Sequence, residues 1–387
     1  MNSQVESSNK ITGSIDGLRG LLATWVMLFH ISLFVNGPGG LIGRGGVAVD
    51  LFMLVSGFLM VWTVLSREST EPMARLSTWR KFYIRRIFRI APLYFLLLVP
   101  AYFYTTEFSE LLADAYRAIG RDLAHSDAGC EVTPTFDILS HVTFTFGLFP
   151  CTVSRNILPD WSLSLEMQFY ALFPILYAFL IRSRGFVLAS LAAAVAGISG
   201  AIVSVYEISK FNIFFYPQAS ILPLRINCFL VGMILGVIVW RRSKDPFLLS
   251  ALLICLIPFQ RLTFIAISAF LILMLLARVN VWMDWTRGYA MPFRFTEAIL
   301  KSPPLKYIGD FSFGIYLLHA PILLIILSLL NDCGRFLSLS GSVKFIFVFA
   351  LSMPVVVSLA ALLHKTVEKP MISIGHRLTS KRSVSLV

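Results

Sequence analysis

Apolar runs long enough to cross a bilayer recur along this 387-residue chain, and that recurrence leaves few folds open to it. We read ten, near 17–36, 46–66, 88–106, 161–181, 186–206, 219–240, 246–260, 262–279, 306–330 and 344–364. About 20 apolar residues in a helix match the hydrocarbon thickness of a bilayer. The expected fold is therefore all-α: a polytopic membrane helix bundle of about ten transmembrane helices. Composition agrees, since only 14 % of residues are charged, against about a quarter in a soluble domain. The segment "DILSHVTFTFGLFP", 137–150, is apolar but too short to span, so it is expected to be interfacial or re-entrant.

The net charge of +12 would suggest nucleic acid in a soluble protein. Here the excess sits in short loops and reads as topogenic, so no nucleic-acid partner is expected. With a cytoplasmic N-terminus, 24 of the 33 lysines and arginines fall on the cytoplasmic side. Both termini then face the cytoplasm, as in a multi-pass protein of a bacterial inner membrane. The first run lacks a small-residue cleavage site and is soon followed by a second, so it reads as a retained anchor. The five cysteines form no CxxC and no metal-ligand spacing, and no metal is expected. Cys130 and Cys151 share an acidic outer loop, 107–160, where a disulfide and two free thiols are both open.

Ionisable groups inside a span are costly, and each asks for a reason. Arg19 and His30 lie eleven positions apart in the first run. That spacing is three turns plus about 20°, so both face one way, separated by a rise of about 16 Å. Glu166 lies five residues past the interfacial Trp161, about 7.5 Å deep, near the expected level of His30. Ser312, Tyr316 and His319 share one helical face, with His319 about 16 Å along its span. Asp50 sits near the outer end of the second run, where Ser56 and Gly57 permit close helix approach. Two imidazoles and two carboxylates at similar depth suggest a polar chamber, which Tyr170 is also expected to line.

At the opposite membrane face, "WRKFYIRRIFRIAPLYF" carries Arg85, Arg86 and Arg89 into the third run. Arg86 and Arg89 are neighbours on one helical face, and paired guanidiniums suit phosphate. Topogenic charge and contact with anionic membrane lipid are the plain alternatives. A soluble donor with a phosphorylated handle and a long thin arm, such as coenzyme A, fits such a chamber.

Six stretches in order, "SIDGLRGLLATWVMLFH", "GGVAVDLFMLVSGFLM", "FYIRRIFRIAPLY", "WSLSLEMQFY", "YIGDFSFGIYLLHAP" and "VEKP", make the chain resemble the acyltransferase-3 family of bacterial integral-membrane acyltransferases. The resemblance implies a membrane-embedded acyltransferase domain over 1–370, followed by a short basic tail, 371–387. It implies transfer of an acyl group, often acetyl from acetyl-CoA, to a hydroxyl of an envelope glycan or secreted glycolipid. Arg19 and His30 then occupy the family's arginine–histidine pair, Arg86 and Arg89 its paired-arginine motif, and Glu166 its Trp-Ser-Leu segment. Some members carry a further periplasmic hydrolase-like domain, which is not expected here.

On that reading Arg86, Arg89 and Arg85 hold the donor's phosphates and Arg19 lines the mouth of the chamber. The thioester arm threads toward His30, which takes the acceptor's proton, with Glu166 or Asp50 orienting it. A covalent acyl-His30 relay is the variant. The rivals are a transporter or glycan flippase with a His/Glu proton relay, and a membrane scaffold.

Overall fold

The computed structural model describes residues 2–121, 132–153, 155–181, 183–205, 220–257, 262–278 and 290–380, and no strand occurs among them. In chain order the helices are α1 (Asn2–Val35), α2 (Gly45–Arg67), α3 (Leu76–Phe103), α4 (Thr105–Arg117), α5 (Pro134–Val142), α6 (Trp161–Leu180), α7 (Ser183–Val205) and α8 (Ile226–Arg241). They continue with α9 (Pro246–Leu256), α10 (Leu262–Arg278), α11 (Ala290–Leu300), α12 (Pro303–Asp310), α13 (Ser312–Asn331), α14 (Gly334–Leu337), α15 (Gly341–Leu363) and α16 (Lys369–Thr379).

Over the described residues the ten apolar runs fall on α1, α2, α3, α6 to α10, α12 with α13, and α15; positions 206, 219, 258–260 and 279 of those runs lie outside the described residues. Among the described residues, Gly13–Val35, Gly45–Arg67, Leu76–Phe103, Ser312–Asn331 and Gly341–Thr379 are long and apolar enough to cross a membrane. Helices α7 to α10 hold shorter apolar stretches. The segment 137–150 forms only short α5 and a single 3-10 turn, in keeping with a non-spanning element.

Three boundaries differ from expectation. Helix α3 starts at Leu76 rather than near 88, because arginine and lysine are good helix formers and hydropathy marks only where a helix turns apolar. The ninth run is broken: Phe311, at φ −119°, separates α12 from α13. The break lets α12 lie backbone to backbone on α1, since a Cβ at Gly309 would sit 2.0 Å from the Asp16 carbonyl oxygen. Finally, α15 continues through a π turn at His364–Glu368 into α16, so much of the expected tail is a helix packed on α3.

The most extensive helix contact among the described residues joins α2 to α8. A Cβ at Gly57 would lie 2.1 Å from the Phe229 carbonyl oxygen, and one at Gly232 would lie 1.9 Å from that of Leu54. The two glycines answer each other across the crossing, as small residues do where helix backbones meet in a membrane. Helix α1 serves two apolar clusters. Leu22 and Val26 join α2 and α8, whereas Ala23, Met27 and Ile31 join α13 and α15. That central place sets two faces of α1 against different partners. Cys151 is disulfide-bonded, and Cys130 lies outside the described residues.

Candidate active site

Phe52, Ser56, Leu59, Thr63 and Arg67 recur every three or four residues along α2, so they form one stripe. That stripe is one wall of a cavity of about 380 Å³. From Phe52 to Arg67 it runs about 22 Å at 1.5 Å per residue, so the cavity is elongated along α2. Helix α3 supplies Arg85, Arg86 and Arg89, α1 supplies Asp16 and Arg19, and α16 supplies His376. At the other end stand Ser162 and Glu166 of α6 with Ser312 and Tyr316 of α13. The cavity is thus cationic at the Arg67 end and hydroxyl-lined at the Phe52 end.

The cations differ in how they are held. Arg85 is committed to protein: its guanidinium gives Glu71 two hydrogen bonds, at 2.6 and 2.8 Å, and its Nε donates to Thr379 at 2.8 Å. Lys81 also reaches Glu71, at 3.1 Å. These bonds, Arg85 first, hold the Glu71 carboxyl down to about 2 from its ordinary 4.5. By contrast, Arg19, Arg67, Arg86 and Arg89 have no carboxylate within 4.0 Å among the described residues. The Arg86 guanidinium lies over aromatic faces instead, 5.5 Å from the Tyr170 ring centre and 5.7 Å from that of Phe82. Four guanidiniums face one cavity that Asp16 and Glu166 also line, and since none is in direct contact with a carboxylate among the described residues they are suited to phosphate groups.

The hydroxyl end is a hydrogen-bonded frame. Glu166 Oε1 accepts from Ser56 Oγ at 3.0 Å and from the Tyr170 hydroxyl. Tyr316 and Ser162 hydroxyls share a bond of 2.8 Å. Ser312 is 1 % exposed, lines the cavity, and has no hydrogen-bond partner among the described residues. A buried hydroxyl without a partner is costly, so it is available to a polar ligand atom.

Of the residues singled out from sequence, Arg19, Arg85, Arg86, Arg89, Glu166, Tyr170, Ser312 and Tyr316 line this one cavity. His30 and His319 do not. They meet each other just beyond Tyr316: His319 Nε2 is 3.1 Å from His30 Nδ1, and the His319 ring centre is 5.9 Å from that of Tyr316. The conduit expected to reach His30 therefore stops at the Tyr316–Ser162 contact. Asp50 also lies off the cavity, 1 % exposed and 2.9 Å from the Arg225 guanidinium. It is seven residues before Gly57, hence on the face of α2 that packs on α8 rather than on the Phe52 stripe.

Sequence reasoning missed Arg67, counted only as topogenic charge, and His376, which lies in the stretch expected to be a basic tail. It also missed Glu368 of "VEKP". That carboxylate is 4 % exposed, pairs with His364 at 2.6 Å inside the π turn, and faces Arg19 electrostatically. Single-turn π-bulges inside helices are frequent at functional sites.

Comparison with known proteins identifies the class. A family model described as an acyltransferase domain matches residues 12–363, and the chain belongs to that acyltransferase-3 family. It is 26 % identical to the peptidoglycan O-acetyltransferase OatA of Listeria monocytogenes, over 82 % of this chain and 50 % of that protein. It is 25 % identical to the O-acetyltransferase OatA of Staphylococcus aureus, over 81 % of this chain and 50 % of that protein. The chain thus spans about half the length of these relatives. No solved structure matches it.

Proposed function

We propose that this protein is a membrane O-acyltransferase that moves an acyl group, acetyl foremost, from a cytoplasmic acyl-CoA to a hydroxyl of a cell-envelope or secreted glycan or glycolipid. One observation carries the reading: four guanidiniums without carboxylate partners line one long cavity whose far end is built of hydroxyls. The names of the relatives support the acetyl group and the envelope acceptor, and the basic bias of the short loops supports an inner-membrane setting.

In this reading Arg19, Arg67, Arg86 and Arg89 hold the phosphates, and the pantetheine arm runs along the α2 stripe. The thioester then sits among Ser56, Ser162, Ser312 and Tyr316. Buried hydroxyl donors there would stabilise the charge that develops on the carbonyl oxygen. His30 takes the proton of the acceptor hydroxyl while its oxygen attacks the carbonyl carbon. The new C–O bond forms, the C–S bond breaks, and the thiolate of coenzyme A leaves to be protonated. Because Tyr316 separates thioester and imidazole, its ring must swing off Ser162 for the reaction.

The test is transfer of radiolabelled acetyl from acetyl-CoA to cell-wall oligosaccharides by the purified chain in vesicles, with His30→Ala alongside. Label on a glycan hydroxyl, lost in His30→Ala, is the result expected. Transport of the glycan without acylation would favour the transporter reading instead.

A further inference from the structure

The contact between His30 and His319 determines which nitrogen of each ring carries a proton. His30 Nδ1 is 2.9 Å from the Val26 carbonyl oxygen, and His319 Nδ1 is 3.2 Å from that of Ile315. A carbonyl oxygen only accepts, so both Nδ1 atoms are N–H groups. His319 Nε2 faces His30 Nδ1 at 3.1 Å. Two N–H groups cannot point at each other at that distance, so His319 Nε2 is a bare lone pair that accepts from His30. The His30 N–H is then shared between Val26 on its own helix and His319 on α13. Its Nε2 has no hydrogen-bond partner among the described residues.

We propose that His319 is a positioning residue that holds His30 in the Nδ1–H tautomer, so that Nε2 keeps the lone pair that takes the acceptor's proton. This rests on His30 being the base. Burial supports the division of labour, because His319 is 0 % exposed whereas His30 is only half-buried. One ring can meet an acceptor and the other can only meet its neighbour. The Val26 carbonyl, four residues upstream on α1, cannot by itself stop the ring turning over. A second acceptor from another helix does so, which is the service an orienting group gives a catalytic imidazole elsewhere.

The experiment uses the full chain in vesicles with acetyl-CoA and cell-wall oligosaccharide, and compares His319→Gln, His319→Asn and His319→Leu. The amide of glutamine reaches the place of Nε2, whereas that of asparagine stops at the place of Nδ1. His319→Leu and His319→Asn are expected to lower kcat by about 10²-fold, with the KM for donor unchanged because His319 does not line the donor cavity. His319→Gln should recover most of kcat. Ring nitrogen NMR should show His30 as a single Nδ1–H tautomer in the wild type and as a mixture in His319→Leu. Equal kcat in the Gln and Asn variants, or an unchanged tautomer in His319→Leu, would overturn the proposal. Should the Leu variant fail to fold, the Gln and Asn pair decides. His30→Ala that still transfers acetyl would remove the base itself, whereas an inert His30→Ala with a flat His319 series would remove only this proposal.

Discussion

Tyr316 on α13 and Ser162 on α6 share a 2.8 Å hydrogen bond, and His319 stands directly behind the tyrosine ring. The arginine cavity ends at that bond, so passage from Arg67 to His30 depends on where the ring lies. Thiol labelling checks this in a Cys333→Ser background, where Cys228 and Cys255 are buried. His30→Cys should react slowly with a reagent supplied from the Arg67 end. Adding Tyr316→Ala should speed labelling severalfold, and equal rates would show that the ring is not the barrier.

The arginines should separate by their partners. Arg86 and Arg89 face the cavity without carboxylates, so each alanine substitution should remove a charge-assisted contact of about 1.5–3 kcal/mol to the donor. Acetyl-CoA affinity should fall at least tenfold for each (1.4 kcal/mol being about tenfold). Arg85 is bound to Glu71 and Thr379, so Arg85→Ala should lower thermal stability more than donor affinity. Calorimetry and melting on the same samples read both quantities.

The Glu71 clamp makes stability pH-dependent in a stated direction. Its carboxyl titrates at about 2 when folded, against 4.5 ordinarily. The stabilisation is therefore fully present above the ordinary value and is lost as pH falls toward the folded one. The melting temperature of wild type should exceed that of Glu71→Gln by a constant margin between about pH 5 and 7, and the margin should shrink below that. A margin independent of pH would show that the charge on Glu71 does not matter.

Gly57 and Gly232 make the α2–α8 crossing intolerant of side chains, because each would drive a Cβ onto a carbonyl oxygen of the other helix. Gly57→Ala should cost on the order of 1–3 kcal/mol as overpacking, seen as lower yield and melting temperature. Ser56→Ala, one residue away but on the cavity stripe, should leave yield intact and impair activity through Glu166.

Much of this architecture is legible before any coordinates. Apolar runs locate helices because lipid forces backbone groups to bond within a segment. The i, i+3 spacing of Arg86 and Arg89 places both on one face, and the Ser312–Tyr316 spacing does the same on α13. Depth counting brought His30 and His319 to one level, and they touch. Other features depend on what a neighbouring helix presents. Asp50 is held by Arg225 from a segment far along the chain. His376 joins the cavity because α16 folds back onto α3, and no local pattern announces that return, whereas Arg67 extends the α2 stripe and is hidden only by standing at the helix end. The Tyr316 barrier is likewise invisible in periodicity, which assigns a side chain to a face but not to the gap it closes.

Calorimetric titration of acetyl-CoA into the purified full chain, alongside the Arg86→Ala and Arg89→Ala double variant, tests the donor cavity most directly. Saturable binding that disappears in the folded double variant is the predicted result. A wild-type protein that takes up no acetyl-CoA, or a double variant that binds it equally well, would contradict it.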